Sequence, residues 1–267
     1  MLSAENNQEE LLKNFIETQG EDIILSGSVI ITIGTIIAAL ALTEVFITRS
    51  PQGAEGIVIG SGIESIGNVI QALGSQQLYA VEPSDAQAKI IKGDWLQAIG
   101  NAGTAIAVQE GIILYRYTFT DQGSRRDRAQ MGEIPTEETP GQSVAQEQGV
   151  DEALKLTIAF DALSSAIQGT GAFISAQGIS QLPPSPIQRD EGLASTLVGI
   201  GAFIEAYGAI LALEEEELKG VLSQVIGAWI QVGASLIELN ALTAKKSIQT
   251  IEKNAHSYGQ YMNYVTN

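Results

Sequence analysis

The chain has 267 residues, 45% of them hydrophobic and 17% charged, a balance that excludes a disordered chain and requires an extensive buried interior. Fourteen basic against 31 acidic residues give a formal charge of −17, which repels a phosphate backbone and excludes nucleic acid as a partner. There is no cysteine, so disulfides and thiolate metal sites are excluded, while 28 glycines in a chain with 6% aromatic residues need a structural reason.

Taken in order, the opening MLSAENNQEELLKNF carries acids where a secretory signal carries basic residues and an apolar run. No cleavable signal is expected, and the default location is cytoplasmic. The first helical unit has small residues at Gly27, Gly34 and Ala41. Its run from Ile23 to Thr43 has no charged side chain and matches the roughly 20 residues that cross a bilayer, so membrane association stands as the alternative location. Arg49-Ser50-Pro51-Gln52-Gly53 ends this unit as a loop. A second unit carries Gly60, Gly67 and Gly74 and stops at Glu82-Pro83-Ser84-Asp85; a third carries Gly93, Gly100 and Ala107. The leading small residues of these three units stand 33 residues apart each time.

From Asp121 to Gly149 the sequence is polar, with Arg125, Arg126, Arg128, Pro135 and Pro140, and reads as a linker. A second half follows with units at Ser164, Gly171 and Gly178, at Ala194, Gly201 and Gly208, and at Gly220, Gly227 and Ala234. Pro183-Pro184-Ser185-Pro186 separates the first two of these. Four glutamates at 214–217 precede the third and read as a solvated helix end or turn. Lys245 to Asn267 reads as a final polar helix.

Small residues seven apart, with Ile37, Ile70, Ile174, Ile204 and Ile230 three residues after the middle one, form a heptad seam on helices. Glycine inside a helix costs about 1 kcal/mol relative to alanine, so its repetition implies a compensating close approach of backbones. The seam glycines are the site residues assigned: Gly27, Gly34, Gly60, Gly67, Gly74, Gly93, Gly100, Gly171, Gly178, Gly201, Gly208, Gly220 and Gly227.

Other candidates carry less. Glu64, Asp161, Glu205 and Glu238 each fall four residues after a seam position and invite a di-metal centre. Such a centre also needs Glu-x-x-His pairs, and the single histidine, His256, lies in the polar tail. An all-oxygen calcium site stays formally open, but the expected place of these acids is a helix boundary facing water. Gly60-Ser61-Gly62 and Gly199-Ile200-Gly201 lack the preceding strand and following lysine of a phosphate loop. Trp95 and Trp229 share one position in their units and are expected at repeat junctions. No catalytic, cofactor-binding or metal residue is assigned.

The segment Gly93-Asp94-Trp95-Leu96-Gln97-Ala98-Ile99-Gly100, with the related Ile66-Gly67-Asn68-Val69-Ile70-Gln71-Ala72-Leu73-Gly74 and Gly227-Ala228-Trp229-Ile230-Gln231, resembles a family of uncharacterised repetitive proteins of Bacillus-type bacteria. These are built from Gly-x-Trp-x-Gln-Ala-x-Gly units. The resemblance implies a helical-repeat architecture and no assigned activity.

The expected fold is all-α, six small-residue-seamed repeats in one or two bundles: a first half over 1–120, a linker over 121–149 and a second half over 150–267. The expected function is a non-enzymatic structural or interaction protein without cofactor, self-associating as a homo-oligomer, or binding a protein partner, through Gly/Ala-lined faces. The alternative is a membrane-associated or membrane-inserting protein, drawing on Ile23–Thr43 and on the uncharged run Gly220–Ile237. Glu64, Asp94, Glu110, Asp161 and Glu205 weigh against that alternative, because carboxylates in hydrocarbon are costly.

Overall fold

The computed structural model describes the backbone of residues 2–50, 53–130 and 140–266 and the side chains of residues 8–50, 53–116 and 149–255. Six helices follow one another: α1 (Leu2–Thr48), α2 (Ala54–Val81), α3 (Asp85–Gln130), α4 (Pro140–Ile179), α5 (Pro186–Leu213) and α6 (Glu217–Thr266). Their ends obey local chemistry. Ser84 Oγ accepts from the backbone N–H of Gln87 at 3.1 Å and Ser185 Oγ from that of Gln188 at 3.0 Å, with Pro186 in the first turn where its missing N–H costs nothing. The turn before α6 is tight enough to place Glu215 at φ 66°, and Arg49 ends α1 at φ 50°.

Each helix packs on its chain neighbours and α6 returns to α1, so the six close into a single antiparallel ring joining both halves. The stretch read as a linker is helical at both ends, since α3 runs to Gln130 and α4 begins at Pro140; residues 131–139 lie outside the described residues. The side chains of Arg125, Arg126, Arg128 and His256 also lie outside them.

The ring is built from three close hairpins, α1/α2, α3/α4 and α5/α6. In the first, a Cβ added to Gly34 would fall 2.7 Å from the carbonyl oxygen of Gly60, and one on Gly60 equally 2.7 Å from that of Gly34. Gly27 faces Gly67 in the same reciprocal way, and Gly74 lies against the backbone of Gly20. Gly93 pairs with Gly171, Gly100 meets Ser164 and Gln168, and Gly178 meets Ala86. Gly201 pairs with Gly227 and Gly208 with Gly220. Backbone lies against backbone, a geometry that gives van der Waals contact along the whole hairpin without large side chains. Buried apolar residues are accordingly mostly alanines. At the α4/α5 joint Phe173 and Phe203 stack with ring centroids 5.9 Å apart, and Gly199 and Gly169 leave room for the rings.

The polarity of the ring is inverted relative to a protein in water. Large aliphatic residues one position before many of the seam residues point outward: Ile33 and Leu40 on α1, Ile59, Ile66 and Leu73 on α2, Ile99 and Ile106 on α3, Leu163 on α4, Ile200 on α5 and Ile226 on α6. Ile66 is 58% exposed in the middle of its helix, while Glu64 two residues earlier is 5% exposed.

Candidate functional site

Inside the ring many of the residues one and four positions after the seam are polar. Ser28, Thr35, Ser61, Asn68, Ser75, Asp94, Asn101 and Ser235 occupy the first set and are buried. Glu64, Gln71, Gln97, Gln168 and Gln231 occupy the second and are also buried. The small seam residue brings two helices together, and the positions flanking it on the inner side inherit the axis of the ring. Their side chains reach across that axis and join helices that do not pack on one another. Gln71 Nε2 of α2 donates to Glu238 Oε1 of α6 at 2.5 Å, Gln168 Nε2 of α4 to Gln231 Oε1 of α6 at 2.7 Å, and Gln224 Nε2 of α6 to Asp161 Oδ2 of α4 at 3.3 Å. Asp94 accepts from Ser75 at 3.3 Å and from Ser175 at 3.0 Å, tying α3 to both neighbours. Gln231 also bonds Glu205, which lies within electrostatic reach of Glu64 and Asp161. Residues 224, 231 and 238 advance seven at a time, so these layers stack at intervals of about 10 Å along the axis.

Among the described residues, two cavities lie along the axis. One, of about 110 Å³, runs inward from the end bearing the α2–α3 and α4–α5 turns and has room for several waters. The other, of about 30 Å³, lies toward the opposite end. Thr35, Glu64, Asn101, Gln168 and Gln231 line both and form the waist between them. Asn101 is 3% exposed and its Nδ2 has no hydrogen-bond partner. Beyond the smaller cavity, Leu42, Ile57 and Ala228 pass into an apolar cluster completed by Ile36, Val45, Val108 and Val225.

The acids therefore do not take the water-facing place expected of them. Each of α2 to α6 has one ionisable residue within its otherwise uncharged middle stretch, respectively Glu64, Asp94, Asp161, Glu205 and Glu238, and each turns to the axis. The physical reason is that the apolar residues already cover the outer face, so the inner face is where a polar group finds partners. Among the described residues no three carboxylates or histidines converge as a metal ion requires. The lining glutamines went unassigned in the sequence, although they stand at the same four-residue offset as the acids. Trp229 lies on the outer face, 44% exposed, its indole N–H donating to Thr43 Oγ1 at 3.0 Å, and Trp95 is half-buried.

Four helices among the described residues are long and apolar enough to cross a membrane: α1 over Gln8–Thr48, α2 over Ala54–Val81, α5 over Pro186–Leu213 and α6 over Glu217–Ala255. No curated protein and no solved structure matches the chain. Residues 22–113 and 143–239, which hold the ring-forming parts of the two halves, match a family described as a family of unknown function (DUF6944), and the chain belongs to that family.

Proposed function

We propose that this chain is a non-enzymatic integral membrane protein in which all six helices cross the bilayer around a polar lumen. The observation that carries the reading is the inverted polarity. The outer faces are free of charge over 23–43 on α1, 56–81 on α2, 93–109 on α3, 156–179 on α4, 192–213 on α5 and 220–244 on α6, once the five inward acids are set aside. The shortest of these stretches is about 25 Å long at the helical rise, close to the roughly 30 Å of a hydrocarbon core. Charged residues cluster at both rims: Asp22, Lys92, Asp190 and Lys246 at one, Glu44, Glu55, Lys155 and Lys219 at the other. Polar side chains in lipid face the bundle interior and pair with one another, as Gln71 and Glu238 do here.

This reading replaces self-association through glycine-lined faces. Every assigned seam glycine lies against another helix of the same chain, which favours the seams as internal contacts over contacts with a second copy. The outward surface is instead aliphatic around all six helices. A two-fold interface would cover one side of such a belt, whereas lipid covers all of it.

The test combines two readouts on membranes from cells making the full chain. After an alkaline carbonate wash the protein should stay in the pellet. Purified into vesicles, with Trp95→Phe leaving Trp229 as the single tryptophan, its fluorescence should be strongly quenched by lipids brominated on their acyl chains. Release by carbonate, or emission indifferent to brominated lipid, would refute the membrane reading.

A further inference from the structure

We infer that the lumen is a path for alkali-metal cations, with the amide and carboxylate waist as its selective element and the apolar cluster beyond it as its closed gate. The inference rests on the membrane reading and deepens it. Charge comes first. Glu64, Asp94, Asp161, Glu205 and Glu238 lie along the lumen, Glu191 and Lys245 line the mouth of its larger cavity, and among the described residues no other lysine or arginine lines either cavity. The nearest cation is Lys245 at the rim, held 3.1 Å from Glu21. In a low-dielectric ring such a field concentrates cations and repels anions.

Donor chemistry comes second. Alkali ions are held weakly by neutral oxygens, and a path needs sites an ion can leave. The waist supplies the hydroxyl of Thr35, the amides of Asn101, Gln168 and Gln231, and one carboxylate, Glu64. Asn101 lines both cavities and its amide nitrogen has no hydrogen-bond partner, so no bond at that nitrogen fixes which way the amide faces. No three carboxylates converge among the described residues, as a tightly held divalent ion would require.

The third observation is the block. Gln168 and Gln231 are bonded to each other across the axis, and beyond them Leu42, Ile57 and Val108 close in. An apolar constriction excludes water and with it ions, and a polar substitution there admits both.

The experiment uses the purified full chain in phosphatidylcholine–phosphatidylglycerol vesicles. Carbonate resistance is checked on the same vesicles, which take up rubidium-86 in one arm and chloride-36 in the other. Wild type should pass rubidium slowly. Leu42→Ser, and independently Ile57→Ser should the first fail to fold by circular dichroism, should raise rubidium uptake about tenfold or more, with chloride at the level of empty vesicles. Adding Glu64→Gln to either open variant should reduce rubidium uptake several-fold. Inserted protein whose open variants pass no rubidium, pass chloride equally, or ignore Glu64→Gln would overturn the cation path and leave the membrane reading standing. Protein removed by carbonate would overturn both.

Discussion

The glycine seams make a prediction whose sign depends on position. A methyl group on Gly34 would sit 2.7 Å from the Gly60 carbonyl oxygen and 2.8 Å from both the amide nitrogen and Cγ of Glu64. Two of these three atoms are backbone, so no rotamer change relieves the clash. Ordinary contact begins near 3.4 Å, and α1 and α2 must therefore part by about 0.7 Å. A gap of that size forfeits roughly a quarter to a half of each contact it opens, and the usual cost of such overpacking is about 1–3 kcal/mol. Gly62, also within a helix, has nothing within 4 Å of the same added atom. Alanine there brings only the helix-forming gain, about 1 kcal/mol. Both substitutions carry that gain, so it cancels in their difference, and Gly34→Ala should be less stable than Gly62→Ala by about 1–3 kcal/mol. Reversible unfolding in mixed micelles by added dodecyl sulfate, followed by far-ultraviolet circular dichroism, measures the difference. Equal stability, or Gly34→Ala the more stable, would refute the claim that backbone contact at this seam holds the hairpin together.

Two further outcomes follow from the inverted polarity. Ile66→Lys places a charge in the middle of the outer face, and in lipid it should cost about 2.5–3.5 kcal/mol and sharply lower the membrane-integrated yield, whereas a surface change in water would stay within about 0.5 kcal/mol. Recovery of Ile66→Lys at wild-type levels in carbonate-washed membranes would contradict the lipid-facing assignment. Gln71→Leu should destabilise by about 1.5–3 kcal/mol by leaving Glu238 without its donor, and the double variant Gln71→Leu with Glu238→Leu should recover most of that loss. The same dodecyl sulfate titration decides it, and a double variant no better than the single one would show that the pair does not act as a unit.

Much of this architecture was legible in the amino-acid order, and the part that was not had a common cause. Helical class and seam register follow from small residues seven apart, because only a 3.6-residue period places Gly60, Gly67 and Gly74 on one face. Which side of that seam faces inward does not follow from periodicity. An aliphatic stripe such as Ile59, Ile66 and Leu73 has the same spacing whether it meets a protein interior or lipid, and the aqueous convention sends the acids out. The decisive signal was the company the acids keep. Gln71, Gln168 and Gln231 share the offset of Glu64, Glu205 and Glu238, and a face so rich in long amides is unsuited to a helix boundary. Closure of α6 onto α1 had no local signature, since it depends on Thr32 and Ser235 meeting from opposite ends of the chain. The Phe173–Phe203 stack was likewise invisible, because it exists only once α4 and α5 lie side by side.

The joint between α1 and α6 is the least extensive of the six interfaces, and it unites the helix of the ring that is made first with the one made last. During synthesis the lumen therefore does not exist until α6 has emerged. Every shorter chain presents two unclosed polar edges to its surroundings. On the membrane reading, the hairpins, each sealed by its own glycines, are the units able to wait in lipid while translation proceeds. Closure then depends on Thr32 with Ser235 and Thr43 with Trp229 along the helices and on Lys246 with Asp22 and Lys253 with Thr18 at the rim. A nascent chain halted before α6 would expose the same buried amides that unpaired helices present to membrane quality control.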